Sequence, residues 1–134
     1  MEQYDRINLD NAQNVVEVAA HCTEHMRATE ANLHPSSGSI NSIQPDITER
    51  MRAILISWLV EVHTKYALSP ETLFITVNLI DRFCETRRVP RTEYQMLGVT
   101  AMFIACKYEE ITPPKIADFV DVSDHTYSKQ SMLR

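Results

Sequence analysis

An all-α domain is the fold this sequence predicts, and three observations predict it. Apolar residues recur at helical spacing through several long runs. Proline-containing breaks separate those runs. Only two glycines, Gly38 and Gly98, are available for hairpin turns. At 134 residues the chain is long enough for one domain and short for two. A domain of this size can bury a core that needs neither disulfides nor a structural metal, and the hydrophobic fraction is 44%.

The first helix is expected over 12–31, where Val15, Val18, Ala19, Cys22 and Met26 form one stripe. Glu17, Glu24, Arg27 and Glu30 lie opposite, the pattern of a surface helix that buries one side. From Asn32 to Pro45 the periodicity collapses into a loop marked by His34-Pro35-Ser36-Ser37-Gly38-Ser39. Asp46 is expected to cap the next helix, with Glu49 completing a capping box and Tyr66 near the end. This helix carries two apolar stripes, Met51, Ile54, Leu55, Trp58 and Val62 on one side and Ala53, Ile56, Leu59 and Val60 on another. So wide an arc belongs to a helix packed on several sides, or packed on one with a groove left for a partner.

Ser69 followed by Pro70 opens a third helix, carrying Leu73, Val77, Ile80 and Phe83 to about Thr86. After Val89-Pro90-Arg91 a fourth runs from about Thr92 to Glu110. Its middle, Val99 to Cys106, is apolar or small nearly all round, which marks the central buried helix. Gly98 there costs about 1 kcal/mol against alanine, a cost that close helix–helix approach would offset. Pro113-Pro114 opens a short helix through Ile116, Phe119 and Val120, and Ser128 caps a last one over Lys129–Arg134. A stub that short is marginal in water unless it docks.

A net charge of −5 argues against nucleic acid as the principal partner. Three cysteines, Cys22, Cys84 and Cys106, form no paired motif and read as ordinary thiols of a reducing compartment. The start at Met1-Glu2-Gln3-Tyr4 has no signal-peptide pattern, and the longest apolar-rich run, Met96 to Cys106, falls short of the roughly 18 residues a membrane span requires. A soluble intracellular protein is expected. His21, Cys22 and His25 lack the fourth ligand of a structural zinc site, and no HExxH pattern is present. With no phosphate-cradling loop, nucleophile–base pair or carboxylate pair in sight, no enzyme activity and no cofactor are expected.

An ordered series of motifs then narrows the reading. Met51-Arg52-Ala53-Ile54-Leu55 is followed by Ile56-Ser57-Trp58-Leu59-Val60-Glu61-Val62 and preceded by Gln44-Pro45-Asp46-Ile47-Thr48. Glu71-Thr72-Leu73, Val77-Asn78-Leu79-Ile80-Asp81-Arg82-Phe83 and Gln95-Met96-Leu97-Gly98-Val99-Thr100-Ala101 follow. Lys107-Tyr108-Glu109-Glu110, Pro113-Pro114, Asp118-Phe119-Val120 and Asp124-His125-Thr126-Tyr127 complete it. Over roughly residues 12–134 the chain resembles the mitotic cyclins of A or B type, leaning to B in Gly98–Ala101 and Lys107–Glu110.

The resemblance implies a cyclin-box helical bundle: a tail over 1–11, an N-terminal helix and loop over 12–45, and an incomplete N-terminal box over 46–134. Box helices one to four would be present, and the chain would end in a stub of the fifth, before the glutamate that partners Lys107 in the family. It further implies a non-catalytic regulatory subunit that binds a cyclin-dependent protein kinase, helps activate it and directs it to substrates, in nucleus and cytoplasm. The alternative is a non-activating module that docks kinases or Arg-x-Leu proteins without switching the kinase on. Cyclin-like folds of general transcription factors are disfavoured by the acidic charge and the mitotic motifs.

Site residues follow from the resemblance one by one. Ile104, Lys107 and Tyr108 match kinase-contact positions, and Glu109 and Glu110 join them because acids at a helix C-terminus oppose its dipole. The blander reading of Lys107 is a surface lysine that suits that dipole. Met51, Ile54, Leu55 and Trp58, with Glu61 and Gln95, match a shallow patch that docks Arg-x-Leu segments of substrates or inhibitors, although periodicity alone would make the stripe plain core. Arg52 and Asp81 match a pair that bridges two helices, and Ser57 departs from the acid usual before the tryptophan. Arg6-Ile7-Asn8-Leu9 with Asn14 fits a destruction-box pattern, for which chance is the better explanation.

Overall fold

Helices account for all the regular structure among the described residues, as the spacing predicts. The computed structural model describes residues 16–35 and 43–133. The tail, the Arg6–Leu9 pattern with Asn14, positions 12–15 of the first helix, most of the serine-rich loop and Arg134 lie outside the described residues. The chain divides into two units, 1–34 and 35–134.

In the first unit α1 spans Val16–Leu33. Its threonines turn back on their own helix: Thr23 Oγ1 donates to the Ala19 carbonyl at 2.8 Å and Thr29 Oγ1 to that of His25 at 2.9 Å. These bonds satisfy hydroxyls that would otherwise compete with the backbone.

In the second unit α2 spans Glu49–Lys65. Thr48, not Asp46, is its cap: Thr48 Oγ1 accepts the Met51 N–H at 3.3 Å. With Thr48 at that position Glu49 becomes the first helical residue instead of the third, so the expected capping box does not form. Asp46 instead accepts from the Arg88 guanidinium at 2.8 Å. The next helix, α3, spans Pro70–Thr86, with Ser69 as cap and proline in the first turn. A 3-10 turn at Arg91–Glu93 leads into α4, Tyr94–Glu109. Then come α5, Ile116–Val122, and α6, Lys129–Met132. Ser128 Oγ accepts the Ser131 N–H at 3.1 Å, and the buried Met132 side chain docks this last turn into the core. That docking supplies what so short a helix lacks alone.

The core gathers Leu59 of α2, Ile80 and Cys84 of α3, Val99, Met102 and Cys106 of α4, and Phe119 of α5. Burial raises the thiols of Cys84 and Cys106 to about 11, so both are ordinary buried hydrophobes at neutral pH. An added Cβ on Gly98 would stand 2.9 Å from Leu55 Cδ1, so the glycine admits a leucine where α2 meets α4. The central helix is not buried all round, however. Ala101, Met102, Ala105 and Cys106 face inwards, but Ile104 keeps 52% of its surface, because no described neighbour covers that side of α4.

Candidate protein-binding surfaces

The apolar stripe of α2 opens on a groove of about 420 Å³. Met51, Ile54, Leu55 and Trp58 line it from α2, with Arg91, Tyr94 and Gln95 across from them. Helical spacing puts the four α2 residues on one side, and the Gly98 contact draws Leu55 down against α4. The stripe is therefore both core and surface: Leu55 retains 6% of its exposure and Ile54 61%. An extended peptide with an apolar side chain fits such a trough, the exposed apolar rim supplying contact area and Gln95 a polar handle.

Two of the lining residues were not singled out by the sequence reading. Tyr94 forms part of the floor, and its buried hydroxyl finds no partner among the described residues. Burial first, then Cys84 and Asp81, push its phenol up to about 12. Arg91 adds a cation to the wall. The Val89-Pro90-Arg91 break is the signal that would have found it, since Arg91 at the end of that break faces the apolar stripe of α2. Glu61, in contrast, is exposed on α2 but does not line the groove. Gln95 Oε1 accepts from the Tyr127 hydroxyl at 3.4 Å, which steadies its amide at the rim.

Behind the groove, Arg52 of α2 grips Asp81 of α3 in a two-pronged pair. Nε donates to Oδ1 at 2.8 Å and Nη2 to Oδ2 at 2.6 Å. The Asp81 hydrogen bond outweighs burial and holds the guanidinium pKa above its usual value. This pair fixes the rotation of α2 about its axis and so the direction in which the stripe points.

A second surface lies at the C-terminal end of α4. Ile104 and Tyr108, one turn apart, expose 52% and 82% of their surfaces, and Lys107 stands between them. Lys107 Nζ sits 5.7 Å from the centre of the Phe103 ring, which meets Phe119 edge-on at 5.5 Å. The ammonium thus rests on a ring fixed in the core while remaining exposed. Glu109 is exposed beside it. Large apolar groups around an accessible cation form a surface suited to a protein partner.

Glu110, grouped with this surface by the sequence reading, is engaged within the chain. Its Oε1 accepts the Ser69 N–H at 2.8 Å and the Thr72 hydroxyl at 2.5 Å. The Thr72 hydroxyl first and the Ser69 N–H second hold the carboxyl below its usual range. An acid at the end of α4 opposes that helix's dipole, but here it meets the positive N-terminus of α3. The local conflict read from sequence is resolved by a neighbouring helix, so the anomaly marks an internal cap.

Among known families, the model for "Cyclin, N-terminal domain" matches residues 21–134. A G2/mitotic-specific cyclin of Glycine max, S13-7, is 56% identical over 90 residues, covering 67% of this chain and 35% of its own. Cyclin-B1-1 of Arabidopsis thaliana is 40% identical over 129 residues, 96% of this chain and 30% of its own. Cyclin-A1-4 of Oryza sativa subsp. japonica is 42% identical over 127 residues, 95% of this chain and 36% of its own. The chain therefore spans about a third of the length of these relatives.

Proposed function

Because this chain belongs to the cyclin N-terminal domain family, we propose that it acts in cell-cycle control by binding a cyclin-dependent protein kinase, helping to activate it and directing it to substrates. The observation that carries this reading is the exposed end of α4, where Ile104, Lys107 and Tyr108 leave apolar surface and an accessible cation. A kinase whose regulatory helix has an active and an inactive arrangement is switched on by a partner that binds the active one more tightly. The product of that shift is an assembled Lys–Glu pair around ATP and an ordered activation loop.

In this reading the groove between α2 and α4 serves a separate task, holding Arg-x-Leu segments of substrates or inhibitors by their apolar side chains. The protein works in nucleus and cytoplasm. No catalytic step is assigned to its own residues.

The test is a histone-kinase assay on a monomeric cyclin-dependent kinase mixed with this chain. Stimulated phosphorylation is expected. Binding without stimulation would remove activation and leave a docking role; absence of binding would overturn the reading. Lys107→Ala is expected to weaken capture of the kinase about tenfold, the loss of one charged contact in a desolvated interface. Unchanged capture would remove Lys107 from the interface.

A further inference from the structure

Two hydroxyl residues of this chain stand directly before a proline: Ser69 before Pro70, and Thr112 before Pro113. The fold treats them in opposite ways. Ser69 is half-buried, its Oγ caps α3 by accepting the Thr72 N–H at 3.4 Å, and its own N–H is taken by Glu110. Thr112 lies in the connection between α4 and α5, outside any helix and exposed, and among the described residues its hydroxyl has no hydrogen-bond partner.

Backbone chemistry adds to that contrast. Pro113 biases Thr112 away from the helical region, and each ring of the Pro113-Pro114 pair fixes its own φ at about −65°. Lys115, three residues after Thr112, is exposed, and among the described residues its ammonium takes part in no ion pair. Its backbone N–H donates to Asp118 Oδ2 at 2.6 Å, which anchors the far end of the connection at the start of α5. An exposed hydroxyl, a half-buried proline next and an exposed lysine at the third position therefore stand on one non-helical segment between α4 and α5.

We propose that Thr112 is a phosphoacceptor for a proline-directed protein kinase, with Pro113 and Lys115 as the residues that kinase reads. A substrate groove that offers no partner to the N–H of the residue after the acceptor penalises every residue but proline, which has none. An acidic subsite further along accepts the Lys115 ammonium. In the transfer, Thr112 Oγ1 attacks the γ-phosphorus of the kinase-bound Mg-ATP and an Oγ1–P bond forms. The bond from that phosphorus to the β,γ-bridging oxygen breaks, ADP leaves with its electron pair, and the hydroxyl proton passes to the kinase's catalytic carboxylate.

The product carries about −1.5 to −2 charges on a residue four beyond Tyr108. It stands just past the C-terminus of α4, where the dipole is already negative and Glu109 is exposed. Phosphorylation thus turns the end of α4 acidic and opposes a partner drawn to Lys107. This consequence, unlike the site itself, rests on the reading of α4 as the kinase contact.

The site is tested by incubating the full chain with radiolabelled ATP and an active cyclin-dependent kinase already paired with a full-length cyclin. The kinase's cyclin-binding face is then filled, so labelling does not depend on the role proposed for α4. One phosphate per chain is expected, mapped to Thr112 by tandem mass spectrometry. Thr112→Val, a surface change, takes no label, Ser69→Ala is labelled like the parent, and Lys115→Ala lowers kcat/KM about tenfold through loss of one charged contact. Label on Ser69 instead, undiminished label in Thr112→Val, or no label on a chain folded by circular dichroism overturns the site. Capture of monomeric kinase by the phosphorylated chain is expected to fall several-fold. Equal capture overturns the consequence, and if Lys107→Ala is equally silent, the α4 reading has failed instead.

Discussion

The groove of α2 and the end of α4 both bring large apolar side chains to the surface, yet they are built differently. In the groove, exposed Ile54 adjoins Leu55, whose side chain fills the space above Gly98. The trough is an incompletely closed part of the core. At the end of α4, Ile104 and Tyr108 project from a helix whose opposite side is already closed by Ala105 and Cys106. That surface is additional to the core and contributes little to holding it together. The difference predicts that changes in the groove alter stability and binding together, while changes on α4 separate them.

The largest effect should come from Leu55→Ala, which removes a buried side chain at the helix crossing. We expect a loss of about 3 kcal/mol, read as a lower urea midpoint. A loss below about 1 kcal/mol would mean that the groove stands apart from the core after all. Next is Arg52→Ala, which strands the poorly exposed Asp81 carboxylate and should cost about 2 kcal/mol in the same assay. Restoring the balance with Asp81→Ala in the same chain should recover part of that loss, whereas simple additivity would deny the pair any coupling.

Glu110→Ala should cost about 1 kcal/mol, the scale of a lost helix cap. Its carboxyl has a lowered pKa in the fold, so its contribution is present above the unfolded value and disappears as pH falls through the folded one. The gap in stability between the parent and Glu110→Gln should therefore narrow on acidification. A gap independent of pH would remove the charge from the explanation. Smallest of all, Ile104→Ala should move stability by less than about 0.5 kcal/mol while weakening kinase capture. Equal losses in both measurements would erase the distinction between the two surfaces.

Much of the architecture was legible because it rests on local signals. Ser69-Pro70 and Ser128 mark helix starts that need nothing but their own neighbours. Thr48 was overlooked because Asp46 and Glu49 also satisfy a capping pattern, and only the backbone path decides which residue becomes the cap. Left-handed Ala67, Asp124 and His125 left no trace in the sequence, since no glycine announces them. The α2 stripe was readable by period, but the division between floor and rim depends on which side α4 approaches. Glu110 was noticed for a sound reason, its conflict with its own helix dipole, and then assigned outwards. The partner that resolves the conflict is some 40 residues back along the chain, beyond the reach of any local rule.

Gln44 extends the same principle to time. Its buried amide donates to the Cys84 carbonyl at 2.6 Å and the Arg87 carbonyl at 2.5 Å, while its oxygen accepts the Val89 N–H at 2.9 Å. The final turn of α3 and the strand of chain after it are thus latched by a side chain from before α2. Opening that turn to solvent requires withdrawing the latch, so the amides near Val89 should exchange their hydrogens at the pace of the segment around Gln44. A single neutral side chain makes two stretches of sequence, more than 40 residues apart, one unit of opening and closing.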